Sequence, residues 1–322
     1  MAEEPSRGGG VLRVLFWGSP LFALPSLRAL SEEGHDIVGV VTQPDRPWGR
    51  GRRLRPSPVK EVAEDEGFPV LTPDRPRGPE FLRRIEDLGP EISVVVAYGH
   101  ILVPEVLSVP RDGSINVHAS LLPELRGAAP VHWAILRGHT GTGISIMRMV
   151  EAMDAGPVIF QTPERIRPDE TSTELSTRLS EVGAEALIEA LALLSEGAVQ
   201  EEEQDHNKAT YAPKVDREMA RVDWHRTAEE LGWHLRGLDS VPGAWSSLGG
   251  TAVKLFQPSP EPEFTHGALP GTVLRAGPEE GVLVACGSGA IRIGEIQSSG
   301  KKRMSSSAWL LGHPLPEGTR FE

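Results

Sequence analysis

Short apolar runs alternate with amphipathic stretches through the first two thirds of the chain. Val11–Trp17 ("VLRVLFW", closed by Gly18), Ile37–Thr42, Ile92–Ala97 and Ser114–His118 are continuous, β-branched-rich runs that read as strands buried on both faces. Between them, Phe22–Leu30, Pro58–Gly67 and Pro79–Leu88 carry helical spacing. Val70–Leu71 is too short to assign. Ile144–Met149 and Val158–Gln161 add two strands, read as a hairpin. This alternation predicts an α/β fold with a mostly parallel sheet covered by helices. The clearest helix runs from Ser172 to Glu196. Thr171 and Glu174 have capping-box spacing, Leu175, Leu179, Val182, Ala186, Ala190 and Leu194 form one apolar face, and Gly197 supplies the stop.

The texture then changes. "AVQEEEQDHNKAT" is polar and aperiodic, and residues 200–214 read as a linker. A helix is expected around Thr227–Leu238. From Lys254 onward, "AVKLF", "GTVLRA", "GVLVAC" and "AIRIGEI" are β-type runs separated by Gly and Pro, which predicts a small β-barrel-like domain. The expected organisation is a disordered tail at 1–10, a first domain at 11–199, the linker, and a second domain at 215–322.

A length of 322 residues fits two domains, and 39% hydrophobic with 24% charged residues is the balance of a globular protein. The net charge of −12 excludes a chain that binds nucleic acid through overall positive charge, so any such contact needs a local patch. A single cysteine, Cys286, excludes an intrachain disulfide, and the ten histidines lack metal-ligand spacing. No apolar run reaches the length of about 18 residues that a membrane span needs. "MAEEPSRGGG" is neither a signal nor a transit peptide, so a bacterial cytoplasmic protein is expected, and with nothing suggesting an obligate dimer, a monomer. "GSPLFALPS" after the first strand lacks the dinucleotide-binding glycines, and "GHTGTGIS" lacks the P-loop lysine. HExxH and GxSxG are absent.

Three stretches carry candidate chemistry. Asn116 and His118 lie two apart on a strand, hence on one face, at the carboxyl end where parallel sheets bind ligands. Both can donate to a developing oxyanion, and a histidine can also carry a proton. The bland alternative is that they only tie down the next loop. Asp154, in "VEAMDAGPV", follows a strand and can return to orient His118; equally, Asp suits such a turn on conformational grounds. Leu121-Leu122-Pro123 is an apolar turn that either packs on the core or lines a pocket for a flat ligand, with Arg126 supplying a cation nearby. Finally, residues 42–60 read as a long loop. Arg46, Arg50, Arg52, Arg53, Arg55 and Lys60 stand there around Trp48 with no acid from 46 to 60, the pattern of a local nucleic-acid site or of a solvated basic loop.

Taken together, "FWGSPLFALPSL", "VTQPDRPWGRGRRLRPSPVK", "VVVAYGHIL", "INVHASLLPELRGAAP", "TGISIMRMVEAMDAG", "YAPKV", "ARVDW" and "GKKRMS" resemble the methionyl-tRNA formyltransferases over nearly the whole chain. Ala119 stands where that family usually has glycine, and "GLDSVPGAWSSL" follows its pattern loosely. The resemblance implies a Rossmann-like catalytic domain followed by an OB-like β-barrel that helps hold tRNA. It implies transfer of the formyl group of 10-formyltetrahydrofolate to methionyl-initiator tRNA, without a metal. It places Asn116, His118 and Asp154 at catalytic positions and Ser120, Leu121, Leu122 and Pro123 in the folate-binding segment. Arg46, Arg50, Arg52, Arg53 and Arg55 fall on the tRNA-binding loop. Three alternatives stand beside it: formylation of a sugar-nucleotide amine, hydrolysis of formyl-folate, and a non-catalytic tRNA-binding or folate-storage protein.

Overall fold

A computed structural model describes residues 10–48 and 53–322; most of the expected N-terminal tail, and Arg50 and Arg52, lie outside the described residues. The chain folds as two units. The first comprises residues up to Pro130, Thr142–Arg165 and Ser176–Ala212; the second comprises Val131–Gly141, Ile166–Leu175 and Pro213–Glu322.

The first unit begins with β1 (Arg13–Gly18), α1 (Leu24–Glu32) and β2 (Asp36–Val41). Next come the short β3 (Arg46–Trp48) and β4 (Arg53–Arg55), α2 (Pro58–Asp65), β5 (Val70–Leu71), α3 (Pro79–Asp87), β6 (Ile92–Val96), α4 (Pro104–Leu107) and β7 (Ser114–His118). After α5 (Pro130–Leu136) the chain forms β8 (Gly141–Arg148), β9 (Val158–Arg165) and α6 (Ser172–Ser195). The sheet order is β5-β2-β1-β6-β7-β8-β9. Its members β5, β2, β1, β6 and β7 pair in parallel, and β8 runs antiparallel to β7. Val14, Leu15, Phe16 and Trp17 are fully buried, which explains why β1 is apolar without alternation. The strand order reverses between β1 and β6, so a crevice is expected beyond the carboxyl ends of the central strands. The tips of β6 and β7 are therefore the natural place for a site.

The basic stretch read as a loop is a hairpin: β3 and β4 pair antiparallel with Arg46 opposite Arg55 and Pro47 opposite Leu54. Proline at 47 and glycines at 49 and 51 mask the strand pattern in the sequence. Lys60 Nζ on α2 donates to Asp45 Oδ1 (2.8 Å), tying the base of the hairpin to the helix.

The second unit contains α7 (Ala228–Gly237), β10 (Trp245–Leu248), β11 (Thr251–Glu261), β12 (Val273–Gly277), β13 (Gly281–Ala285), β14 (Ala290–Ser298), β15 (Met304–Ser305) and α8 (Ser306–Gly312). Its antiparallel sheet has the order β10-β11-β14-β13-β12, with β15 on β14. The C-terminal residues pair with both ends of this order. Glu322 exchanges hydrogen bonds with Ser247 on β10, while Val273 on β12 bonds Thr319 and Gly318. The two outer strands are thus covered, which is the barrel-like solution to exposed edges. The core joins Leu231, Leu235, Val253, Leu255, Ile291, Ile293 and Phe321. Leu136 of α5 packs against it, and Ser172 Oγ and Thr173 Oγ1 both donate to the Asp239 carbonyl, which is why these two early segments count with the second unit. Among the described residues no helix is long and apolar enough to cross a membrane.

His234 on α7 is 7% exposed, and its Nε2 has no partner among the described residues. Burial lowers its pKa from 6.5 to about 4; Arg226 pushes the same way, and a hydrogen bond to the Ala220 backbone and the charge of Asp223 oppose it. Folded His234 stays neutral while the unfolded chain takes up a proton, so stability should be lost as pH falls from 6.5 toward 4, by up to about 3 kcal/mol. Urea unfolding of His234→Leu should lose stability less steeply over that range than the wild type. An unchanged slope would show that His234 does not set it.

Candidate active site

The site begins at the end of β7. Asn116 lies between Val95 of β6 and Met147 of β8, and His118 opposite Ser145 of β8. The two residues share a face of the strand. His118 is 5% exposed, and its Nε2 lies 3.0 Å from the Leu125 carbonyl oxygen. A carbonyl only accepts, so Nε2 carries the proton and the neutral ring presents Nδ1 as an acceptor. Nδ1 faces Asp154 Oδ2 at 3.8 Å, too far for a direct hydrogen bond. Two acceptors thus converge on one point, suited to an N–H group or to a proton on Nδ1. Asn116 is half-buried, and its amide has no hydrogen-bond partner among the described residues.

Leu125 (φ 57°) and Asp154 (φ 52°) flank the histidine in left-handed backbone. For Leu125 this costs on the order of 1–2 kcal/mol, strain that persists only where the surroundings enforce it, whereas Asp tolerates this region more readily. Leu125 N–H donates to Thr210 Oγ1 (2.9 Å), and Gly127 N–H donates to Asp154 Oδ2 (2.7 Å). Gly127 (φ 117°) could not be another residue, because a Cβ there would lie 2.8 Å from the Ala212 carbonyl oxygen. Around it the chain pairs with residues 210–212: Arg126 N–H to Thr210 O, Ala212 N–H to Arg126 O, and Ala129 N–H to Ala212 O. Residues 200–212, which read as linker, therefore belong to the frame of the site. Their bonds go to main-chain atoms and polar side chains, so no apolar periodicity betrays them.

The turn at 120–123 is held from below. Ser145 Oγ donates to Ser120 O (2.6 Å) and accepts from Leu122 N–H (3.0 Å). Gln161 Nε2 donates to Ser145 Oγ (2.7 Å) and Leu122 O (3.0 Å), and Ser120 Oγ donates to Glu124 O (2.6 Å). Leu121 packs over Gly143, where a Cβ would sit 2.5 Å from Leu121 Cδ2. Leu122 is buried and Pro123 half-buried. Part of the turn's apolar character thus serves its anchoring in the first unit, through buried Leu122 and the Leu121 contact with Gly143. Ser145 and Gln161 are the residues that sequence reasoning missed here. A serine between Ile144 and Ile146, in a strand otherwise buried, is the signal that could have found one of them.

Arg126 does not present a free cation. It is 4% exposed, with Nε and Nη2 donating to Gln204 Oε1 (3.1 and 2.6 Å) and Nη2 3.0 Å from His206 Nδ1. In the basic hairpin Arg46 and Arg55 are exposed, Arg53 lies on β4, and Arg50 and Arg52 fall outside the described residues. No group of three or more His, Cys, Asp or Glu residues stands ready to hold a metal among the described residues.

Residues 12–191 match the family model described as formyl transferase, and residues 214–314 the one described as formyl transferase, C-terminal domain. A methionyl-tRNA formyltransferase of Geobacter metallireducens is 43% identical over 310 residues, covering 96% of this chain and 98% of that protein. One from Symbiobacterium thermophilum is 46% identical, covering 97% of this chain and 95% of its own. Among solved structures, HypX from Aquifex aeolicus in complex with tetrahydrofolic acid has a TM-score of 0.65 at 21% identity, covering 94% of this chain and 47% of that one. An N-formyltransferase from Helicobacter canadensis, in complex with folinic acid and dTDP-3-aminofucose, has a TM-score of 0.67 at 16% identity, covering 89% of this chain and all of its own. These two structures share the fold. The full-length sequence matches go further: the chain belongs to the methionyl-tRNA formyltransferase family.

Proposed function

We propose that the chain transfers the formyl group of 10-formyltetrahydrofolate to the α-amino group of methionyl-initiator tRNA, with Asn116, His118 and Asp154 at the reacting carbon. Full-length similarity to methionyl-tRNA formyltransferases supports the substrate pair. The observation that carries the chemistry is the convergence of His118 Nδ1 and Asp154 Oδ2, with Asn116 on the same strand face as His118 and its amide without a hydrogen-bond partner among the described residues.

In this reading the methionyl amine attacks the formyl carbon directly. A carbon–nitrogen bond forms to the amine, and the bond from the formyl carbon to the folate nitrogen breaks. His118 Nδ1 takes the amine proton and returns it to the leaving nitrogen. Asp154 stabilises the imidazolium while it exists, and Asn116 donates to the oxyanion on the formyl oxygen. With Nε2 engaged by Leu125, His118 can assist the oxyanion only once Nδ1 is protonated. No covalent protein nucleophile is required. Cys286 could not serve as one, since it is 1% exposed and burial pushes its thiol up to about 12. The turn at Ser120–Pro123 receives the folate through its main chain, Pro123 and the exposed part of Leu121, because Leu122 is committed to packing.

The basic hairpin is the tRNA contact. Arg46 and Arg55 stand opposite each other on the two strands, both exposed, with Glu61 Oε1 3.9 Å from Arg55 Nε. Arg50, Arg52 and Arg53 extend the same patch along the sequence.

Asn116→Ala and His118→Ala, checked for native circular dichroism, should each lose about a hundredfold or more in formyl-transfer turnover. Folded variants with wild-type rates would sink the assignment. Arg50→Ala and Arg52→Ala should weaken tRNA binding and lower the slope of log affinity against log salt by about one unit per lost phosphate contact. An unaltered affinity and slope in both variants would remove the hairpin from the tRNA interface.

A further inference from the structure

Gln204 is 7% exposed and uses both ends of its amide. Its Oε1 accepts from Arg126 Nε and Nη2 (3.1 and 2.6 Å). Its Nε2 donates to the carbonyl oxygens of Asp154 (3.0 Å) and Gly156 (2.7 Å). A guanidinium only donates and a carbonyl only accepts, so the orientation of the amide is dictated at each end. Arg126 itself is buried with neutral partners, and no ion pair involves it among the described residues. Its chemistry is directed at the amide oxygen, which leaves the amide nitrogen aimed at the aspartate turn.

That turn needs holding. Asp154 is in left-handed backbone, and at Gly156 a Cβ would lie 2.0 Å from the Arg148 carbonyl oxygen, so the chain closes tightly there. The step Arg126-Gly127 acts on Asp154 twice. Gly127 N–H binds the carboxylate, and the Arg126 side chain, through Gln204, fixes the main chain beneath it.

We propose that Gln204 is a positioning residue that aims Asp154 at His118 Nδ1, with Arg126 setting which end of its amide faces the aspartate turn. This rests on the reading of His118 and Asp154 as the reacting pair. The competing role is plain attachment, in which Gln204 and Arg126 only pin residues 200–212 to the first unit.

Gln204→Glu separates the two. It keeps an oxygen for Arg126, now in an ion pair, and turns a carboxylate oxygen toward two carbonyls that cannot donate to it. Attachment is preserved and aim is lost. The comparison uses the full chain, wild type and Asp154→Asn, each with and without Gln204→Glu. It reads urea midpoints, kcat, KM for both substrates, and single-turnover rates for the slow variants. In the wild-type background kcat should fall roughly ten- to hundredfold, as expected when a reacting group shifts by about 1 Å, with both KM values and the urea midpoint nearly unchanged. In the Asp154→Asn background Gln204→Glu should add no further loss, because it acts through Asp154. If Gln204→Glu does not fold, Gln204→Met, which keeps the volume but lacks both the donors and the acceptor for Arg126, runs the same cycle, and the comparison of the two Asp154 backgrounds then separates the roles. Wild-type turnover in a folded Gln204 variant, or an equal loss in both backgrounds, overturns the proposal while the reading of the site stands. Asp154→Asn at wild-type turnover overturns the proposal together with that reading.

Discussion

The hydrogen bond from His118 Nε2 to the Leu125 carbonyl decides what the site can do. It uses one nitrogen of the ring and leaves the other as the ring's own proton acceptor. It also explains a costly piece of backbone. Leu125 sits in the left-handed region with its side chain 2% exposed, a conformation a branched aliphatic residue avoids without external support. Thr210 Oγ1 supplies that support by accepting from Leu125 N–H. The chemistry at the tip of β7 therefore depends on a residue more than eighty positions downstream.

The same logic runs through the rest of the frame. Asp154 is in left-handed backbone and is held by Gly127 N–H and by Gln204. The turn at 120–123 is held by Ser145 and Gln161, whose hydroxyl and amide satisfy main-chain groups that are cut off from water. A buried Leu122 N–H left without a partner would cost about 1–3 kcal/mol, comparable to the strain that these contacts restrain. Two glycines, Gly127 and Gly143, make the close approaches possible, one against the Ala212 carbonyl and one beneath Leu121. Precision at the site thus comes from polar contacts to backbone, while the parallel sheet supplies the rigid platform under it.

This division explains what the sequence discloses. Strands such as β1 and β6 are legible because burial on both faces leaves an uninterrupted apolar run. Asn116 and His118 are legible because they are polar residues at the end of such a run. The capping box at Thr171 and Glu174 forms as its spacing predicts, with Thr171 N–H donating to Glu174 Oε2 and Glu174 N–H to Thr171 Oγ1. Gln204 and Thr210 were not legible, since a polar segment bonded to main-chain carbonyls and amides has the composition of a linker. Leu121 and Leu122 are open to two readings, pocket or packing: Leu122 is buried, while Leu121 packs on Gly143 and stays partly exposed. The membership of Leu136 in the second core left no sign, because a short apolar helix does not say which surface it meets.

The most direct test is the tautomer of the His118 ring, read by nitrogen-15 NMR on protein labelled at histidine and assigned by comparison with His118→Gln. In its neutral form the ring should carry its proton on Nε2, and Nδ1 should show the shift of an unprotonated acceptor. A neutral ring protonated on Nδ1 instead would mean that Leu125 does not set its chemistry, and would contradict the account.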